Sequence, residues 1–152
     1  MRFAITVHGG PYTNQSSHSA LNFAKAVLHE GHDLYRVFFY HDGVFNGSAI
    51  MAPPQDEIDL YGEWRQLALD HELDLVVCIA SALHRGVINH TEAERYEKSA
   101  ANLGKPFTIS GLGQLIDAAH SADRLVTFRV CPPALVRAVP CTSWLAVWPG
   151  RP

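Results

Sequence analysis

Short apolar runs alternate with longer amphipathic segments along most of the chain. The apolar runs are nearly continuous, which is typical of strands that are buried on both faces of a parallel sheet. Their β-branched and aromatic residues favour strands over helices. Five such runs predict five strands, at 2–7, 33–40, 73–80, 107–110 and 124–130.

The segments between these runs carry apolar residues at helical spacing. The first, within 18–30, places Leu21, Ala24 and Val27 on one face and ends before Gly31. A second helix is expected to start near Pro53, because proline and acidic residues favour the first turn. Two more are predicted at 89–104, which contains a capping-box spacing, and at 111–122.

Five strands alternating with four helical segments predict a three-layer α/β domain with a mainly parallel sheet of the doubly wound type. Ligands and chemistry in such folds lie beyond the carboxyl ends of the strands. We therefore expect the segments 8–18, 41–55, 78–90 and 110–114 to meet at that edge of the sheet.

The net charge of −3 argues against direct binding to nucleic acid, since proteins that bind phosphate backbones usually carry a basic face. No apolar run is long enough to span a membrane or to act as a secretory signal, so the expected location is the cytoplasm, away from membranes. The three cysteines, Cys78, Cys131 and Cys141, lack CxxC spacing, and neither a disulfide framework, a metal site nor a cofactor is predicted.

The stretch after residue 128 breaks the pattern. Residues 129–152 hold five of the nine prolines and two tryptophans, without a clear period of strand or helix. We therefore treat 1–128 as the domain and 129–152 as an extension of unknown role. Two explanations stay open for the extension: a segment that packs on the domain or on a partner, or a non-native sequence.

Cys78 is the leading candidate for chemistry, and two interpretations of it compete. A free cysteine that ends a buried strand is often a small core residue. However, the carboxyl end of a central strand is where sites form, and His84 and Arg85 follow within a few residues. Nearby positive charge favours the thiolate, which is the reactive form. With no second cysteine at redox spacing, single-thiol chemistry such as persulfide transfer fits better than dithiol chemistry.

Other candidates carry weaker signals. His8, His41 and His84 could all lie near the site edge, although no metal-binding or catalytic spacing is present. The loop at 9–18 is rich in glycine and hydroxyl groups and could bind a phosphate, or simply cap the next helix through Ser16 or Ser17. Three acidic residues could form a rim, or lie in solvated turns: Asp42, Asp56 and Glu57.

The order and spacing of several stretches resemble the DsrE/TusD family of sulfur-relay proteins over nearly all of 1–128. The matching stretches are "RFAITV", "GPY", "SALNFAKAVLHEGHDLYRVFFYHDGV", "PPQDEIDL", "ELDLVVCIASALHRGV", "TEAERYEKSAANL" and "FTISGLGQLIDAAHSADRLVTF". The stretches "VFFYHDGV" and "PPQDE" look slightly more like the DsrE branch of sulfur oxidation than the TusD branch of tRNA thiolation.

The resemblance implies a flavodoxin-like fold and a sulfurtransferase whose sulfur-accepting cysteine matches Cys78. It also implies a hetero-hexamer with two paralogous subunits, DsrF/DsrH-like or TusC/TusB-like. The implied partners are a TusA-type sulfur donor and a DsrC/TusE-type acceptor, in sulfur oxidation or in 2-thiouridine synthesis. Two departures stand out: His84 and Arg85 replace the family's usual basic pair, and the extension has no counterpart.

The sequence therefore predicts a sulfurtransferase subunit that accepts sulfur as a persulfide on Cys78, with His84 and Arg85 as auxiliary residues near the thiolate. Two alternatives remain. The first is a flavodoxin-like module that binds a cofactor through the 9–18 loop. The second is a non-catalytic scaffold subunit with an inert Cys78.

Overall fold

The structure, a computed structural model, describes residues 1–130 of the 152-residue chain. The strands are β1 (Arg2–Val7), β2 (Asp33–Phe39), β3 (Leu75–Cys78), β4 (Thr108–Ser110) and β5 (Arg124–Phe128). The helices are α1 (Ser16–His29), α2 (Leu60–His71), α3 (Ile79–His84), α4 (His90–Arg95) and α5 (Gly113–Ser121), with a 3₁₀ segment at His41–Gly47. The predicted extension lies outside the described residues, apart from Arg129 and Val130, and so do Cys131 and Cys141.

The five strands predicted from the apolar runs form one parallel sheet, in the order β4-β3-β2-β1-β5. Because all strands run the same way, their carboxyl ends meet at one edge. There Val7 pairs with both Phe39 and Phe128, and Cys78 pairs with Ser110. The three-layer α/β class predicted from the sequence is confirmed.

Side chains alternate between the two faces of the sheet. One face, here called the α1 face, carries a large apolar cluster that includes Phe39 and Val77 of the sheet and Trp64 of α2. The opposite α5 face carries a smaller cluster built from Phe38, Val76 and Cys78. The helix α5 packs on that face against β1, β2 and β5.

Two predicted helices have different bounds in the structure. The helix expected near Pro53 begins only at Leu60, since the side chain of Asp59 accepts a hydrogen bond from the Gly62 N–H (3.1 Å) and caps the helix there. The helix expected to run to Gly104 ends at Arg95. Its cap is also different: the side chain of Asn89 accepts from the Glu92 N–H, so the predicted capping box does not start this helix.

The segment 79–84, predicted as the end of a strand followed by a loop, is helix α3 instead. The segment is too short and too rich in small residues to show an amphipathic period, which is why its pattern did not predict a helix. The predicted strand 73–80 is correspondingly shorter, ending at Cys78. Within residues 1–130, no helix has the length and apolar character needed to cross a bilayer.

Candidate active site

Cys78 is the last residue of β3 and the N-terminal cap residue of α3. Its backbone is still extended (φ −63°, ψ 121°), and the helix begins with the next residue. The two valines before it favour a strand, whereas the two alanines after it favour a helix. This change fixes Cys78 at the carboxyl end of an interior strand, where doubly wound folds hold their sites.

The side chain of Cys78 lies in an apolar environment. The residue is 1% exposed and packs with Phe38 and Val76 on the α5 face. Tyr40 and Leu115, both partly buried, pack over these three residues. In this conformation the thiol is therefore shielded from reaction partners in solvent.

A junction of hydrogen bonds joins α3 to the turn after β2. The backbone N–H of His41 donates to Ser81 Oγ (3.2 Å), and Arg85 Nε donates to Asp42 Oδ1 (2.8 Å). The turn itself lies tightly on β1, since a Cβ added at Gly43 would stand 2.0 Å from the Val7 carbonyl oxygen. The position of α3, and with it the start of the helix at Cys78, is thus tied to the neighbouring strand ends.

Arg85 was predicted as an auxiliary residue beside the thiolate. It directly follows the last residue of α3, whereas Cys78 directly precedes the first. Its guanidinium group pairs with Asp42 and also donates from Nη1 to the carbonyl oxygen of Ser81 (3.3 Å). In this structure Arg85 therefore acts on the junction at the far end of α3.

His84 was the second predicted auxiliary residue, and its side chain is exposed. It lines a cavity of about 700 Å³ beside α3, together with Leu83, Tyr96 and Lys98. The structure thus places the imidazole of His84 at a mostly apolar cavity next to the helix that Cys78 begins.

His8 and His41 do meet at the predicted edge of the sheet. Their ring centroids are 5.4 Å apart, and each ring also contacts Tyr40, which packs against the cluster that contains Cys78. The pKa of His8 lies below its ordinary value, chiefly because burial disfavours the charged imidazolium; the charges of His41 and Arg129 act in the same direction. This imidazole pair borders the site through Tyr40.

The loop predicted as a possible phosphate site uses many of its polar groups internally. Thr13 Oγ1 donates to the Gly10 carbonyl (3.1 Å), and Asn14 Oδ1 accepts from the N–H of Ser16 (2.9 Å). The hydroxyl of Ser17, in the first turn of α1, donates to Asn46 Oδ1. A cavity of about 390 Å³ adjoins the loop and is lined partly by Tyr12.

The three acidic candidates lie in different surroundings. Asp42 pairs with Arg85, whereas Glu57 lines the cavity beside the 9–18 loop. Asp56 is exposed in the segment before α2. Within the described residues, no group of three or more histidine, cysteine or acidic side chains is arranged to hold a metal ion.

Three residues of the site were not identified from sequence: Tyr40, Ser81 and Leu115. Tyr40 could have been found, since it ends an apolar strand whose alternate residues share the face of Cys78. Leu115 could not, because its packing against the Cys78 cluster depends on where α5 crosses the sheet.

Comparison with known proteins identifies the family and supports the fold. The model of the DsrE/DsrF-like family matches residues 1–128. The putative sulfurtransferase DsrE of Allochromatium vinosum is 52% identical over 128 residues, which cover 84% of this chain and 98% of the relative. The sulfurtransferase TusD homolog of Pseudomonas aeruginosa is also 52% identical, over 84% of this chain and 97% of its own length.

Further relatives extend the same match. The sulfurtransferase TusD of Salmonella dublin is 48% identical, over 84% of this chain and all of its own length. The crystal structure of the ychN protein from E. coli superposes with a TM-score of 0.69 at 22% identity, covering 84% of this chain and 99% of that one, and supports the fold alone. On the family model and these identities, the chain belongs to the DsrE/DsrF-like family.

Proposed function

We propose that the chain is a sulfurtransferase of an intracellular sulfur relay and that Cys78 carries the sulfur as a persulfide. The observation that carries the proposal is the place of Cys78: it ends an interior strand at the site edge and begins a helix, in a chain half identical to proteins named sulfurtransferases. His8 and His41 contact Tyr40, which packs against the cluster of Cys78, and the α3 junction fixes the helix that begins after Cys78.

The transfer consists of two thiolate exchanges. The thiolate of Cys78 attacks the outer sulfur of a donor persulfide; the bond between the donor's two sulfurs breaks, and the donor leaves as a thiolate. Cys78 then holds the outer sulfur in a new S–S bond. An acceptor thiolate attacks that outer sulfur in turn, and Cys78 is released as a thiolate, so no external oxidant or reductant is consumed.

Partners follow from the family resemblance. A TusA-type donor, a DsrC/TusE-type acceptor and two paralogous subunits in a cytoplasmic hetero-hexamer are the expected components. Co-purification of the native complex and identification of its subunits would test this, and a chain recovered only as a monomer would contradict it.

The direct test is sulfur loading. The full chain is incubated with glutathione persulfide or a persulfidated carrier, and peptides are identified by mass spectrometry. We expect one added sulfur on the peptide of Cys78 and none at that position in Cys78→Ser, because serine cannot form an S–S bond.

The matched control is the double variant Cys131→Ser, Cys141→Ser, which should load as the unchanged chain does. Loading that persists in Cys78→Ser at full level would overturn the assignment. A Cys78 that stays unmodified in the assembled complex would favour the scaffold interpretation instead.

A further inference from the structure

Cys78 cannot meet a protein-borne persulfide while it is 1% exposed. We propose that α5 is a cover over Cys78 and that its first turn opens to expose the thiol. The biological purpose of this opening rests on the proposed function. The opening itself does not, because a small thiol reagent measures it without any sulfur donor.

The first argument concerns how α5 lies on the sheet. Leu115 in its first half packs against the cluster that contains Cys78. Ala118 is the one buried residue among the nine of the helix, whereas Ile116 is 71% exposed. A helix that buries so little of its surface is attached to the sheet by few contacts, and it can be displaced locally without unfolding the α1 face.

The second argument concerns the side chains that fasten α5. Arg36 of β2 is 8% exposed, and its Nη1 donates both to Asp117 Oδ2 (2.7 Å) and to the carbonyl oxygen of Gln114 (2.9 Å). Tyr35 donates a further hydrogen bond to Asp117 Oδ2 (2.8 Å), and Asp74 holds the Arg36 Nε from the other side (2.5 Å). This polar clasp, centred on Arg36, links both the first turn of α5, at Gln114, and its middle, at Asp117, to β2, the strand beside that of Cys78.

The third argument concerns the start of α5. The cap residue Leu112 makes no side-chain capping bond, and glycines stand on both sides of it at 111 and 113. Glycine gives the backbone the greatest conformational freedom, and an uncapped helix end frays more readily. The first turn, which carries Leu115, is therefore held to the sheet by Arg36 through the Gln114 carbonyl and not by a capping side chain of its own.

These three observations give opposite predictions for two substitutions. Asp117→Asn removes the charge that pairs with Arg36, so the cover should open more often. Gly113→Ala should restrain the first turn in its helical form. A Cβ at Gly113 meets no atom within 4 Å and the residue has no positive φ, so alanine fits without strain.

The experiment measures the rate of Cys78 alkylation by iodoacetamide in the full chain. Peptide-level mass spectrometry separates Cys78 from Cys131 and Cys141. We expect alkylation about two- to five-fold faster in Asp117→Asn, as for loss of a partly exposed ion pair. We expect it about two- to five-fold slower in Gly113→Ala.

The matched control is Glu63→Gln, which removes the ion pair between Glu63 of α2 and Lys25 of α1. The Glu63 side chain is about as exposed as that of Asp117. The substitution should leave the alkylation rate unchanged. Low urea concentrations distinguish local opening from global unfolding, since a local opening exposes little surface and depends weakly on urea.

Three results would overturn the proposal. The first is alkylation of the unchanged chain as fast as that of the urea-unfolded chain. The second is a rate whose urea dependence equals that of global unfolding. The third is a pair of substitutions that shift the rate in the same direction or not at all. None of these depends on whether sulfur loads onto Cys78, so the failure of this proposal and that of the proposed function can be told apart.

Discussion

The two faces of the sheet are covered very differently. On the α1 face, α1 and α2 contribute large buried side chains, and Trp64 meets Phe39 edge to face with ring centroids 5.4 Å apart. On the α5 face, one helix lays the partly buried Leu115 over a cluster that includes the candidate nucleophile. Because burial of apolar surface is the main stabilising contribution, the α1 face supplies most of the free energy of unfolding. The α5 face, which holds the candidate nucleophile, contributes less to stability.

The largest effect should come from the α1 face. Trp64→Ala is expected to lower the free energy of unfolding by about 3–5 kcal/mol, because it leaves a cavity where a fully buried ring had packed. The indole N–H has no hydrogen-bond partner, so the loss is one of packing. Urea denaturation measures it. Leu69→Ala, on the same helix but 52% exposed, is the control and should change little.

An intermediate effect is expected on the α5 face, and it should be local. Leu115→Ala should cost only about 1 kcal/mol of unfolding free energy, since the side chain is partly buried. The same change should speed the alkylation of Cys78, because it removes part of the cover. Ile116→Ala serves as control on the same helix. If Leu115→Ala destabilised the chain as much as Trp64→Ala, the contrast between the faces would be wrong.

The same contrast explains what could be predicted from the sequence. The strands were predicted because parallel strands buried on both faces are continuous apolar runs, and the run ending in Cys78 placed that residue at the site edge. The helix α3 was missed because six residues without an apolar period give no helical signal. The packing of Leu115 against the cluster that contains Cys78 was missed because residues so far apart along the chain come together only through the crossing of α5 over the sheet.

The partner of the charged residue Arg85 also could not be predicted from the sequence. Proximity in sequence predicted Arg85 as an auxiliary residue near the thiolate, and the structure adds that its guanidinium group pairs with Asp42 and that α3 lies between Arg85 and Cys78 along the chain. That ion pair joins segments 43 residues apart. Spacing along one segment cannot reveal such a partner, since it depends on which strand ends become neighbours.

The smallest effect should be a change in the free energy of unfolding at low pH, caused by protonation of His8 at the border of the site. The core of the α1 face consists of apolar side chains, whereas His8 is partly buried against Tyr40, next to the Cys78 cluster. The pKa of His8 is lowered from its ordinary value of 6.5, mainly by burial. The unfolded chain therefore binds a proton at this residue more readily than the folded chain does. The stabilising contribution of neutral His8 is present above pH 6.5 and is lost as the pH falls through the lowered value.

As the pH falls from about 7.5 to below the ordinary histidine pKa, the free energy of unfolding of the unchanged chain should decline. Replacing His8 by phenylalanine should make that decline less steep. The comparison is between slopes, since the substitution itself changes stability at every pH. His29→Gln, at a position whose side chain is 87% exposed, is the matched control and should keep the slope of the unchanged chain. An equal slope in His8→Phe and in the unchanged chain would show that acid does not act through this imidazole. The rim of the site would then be no more sensitive to pH than the rest of the domain.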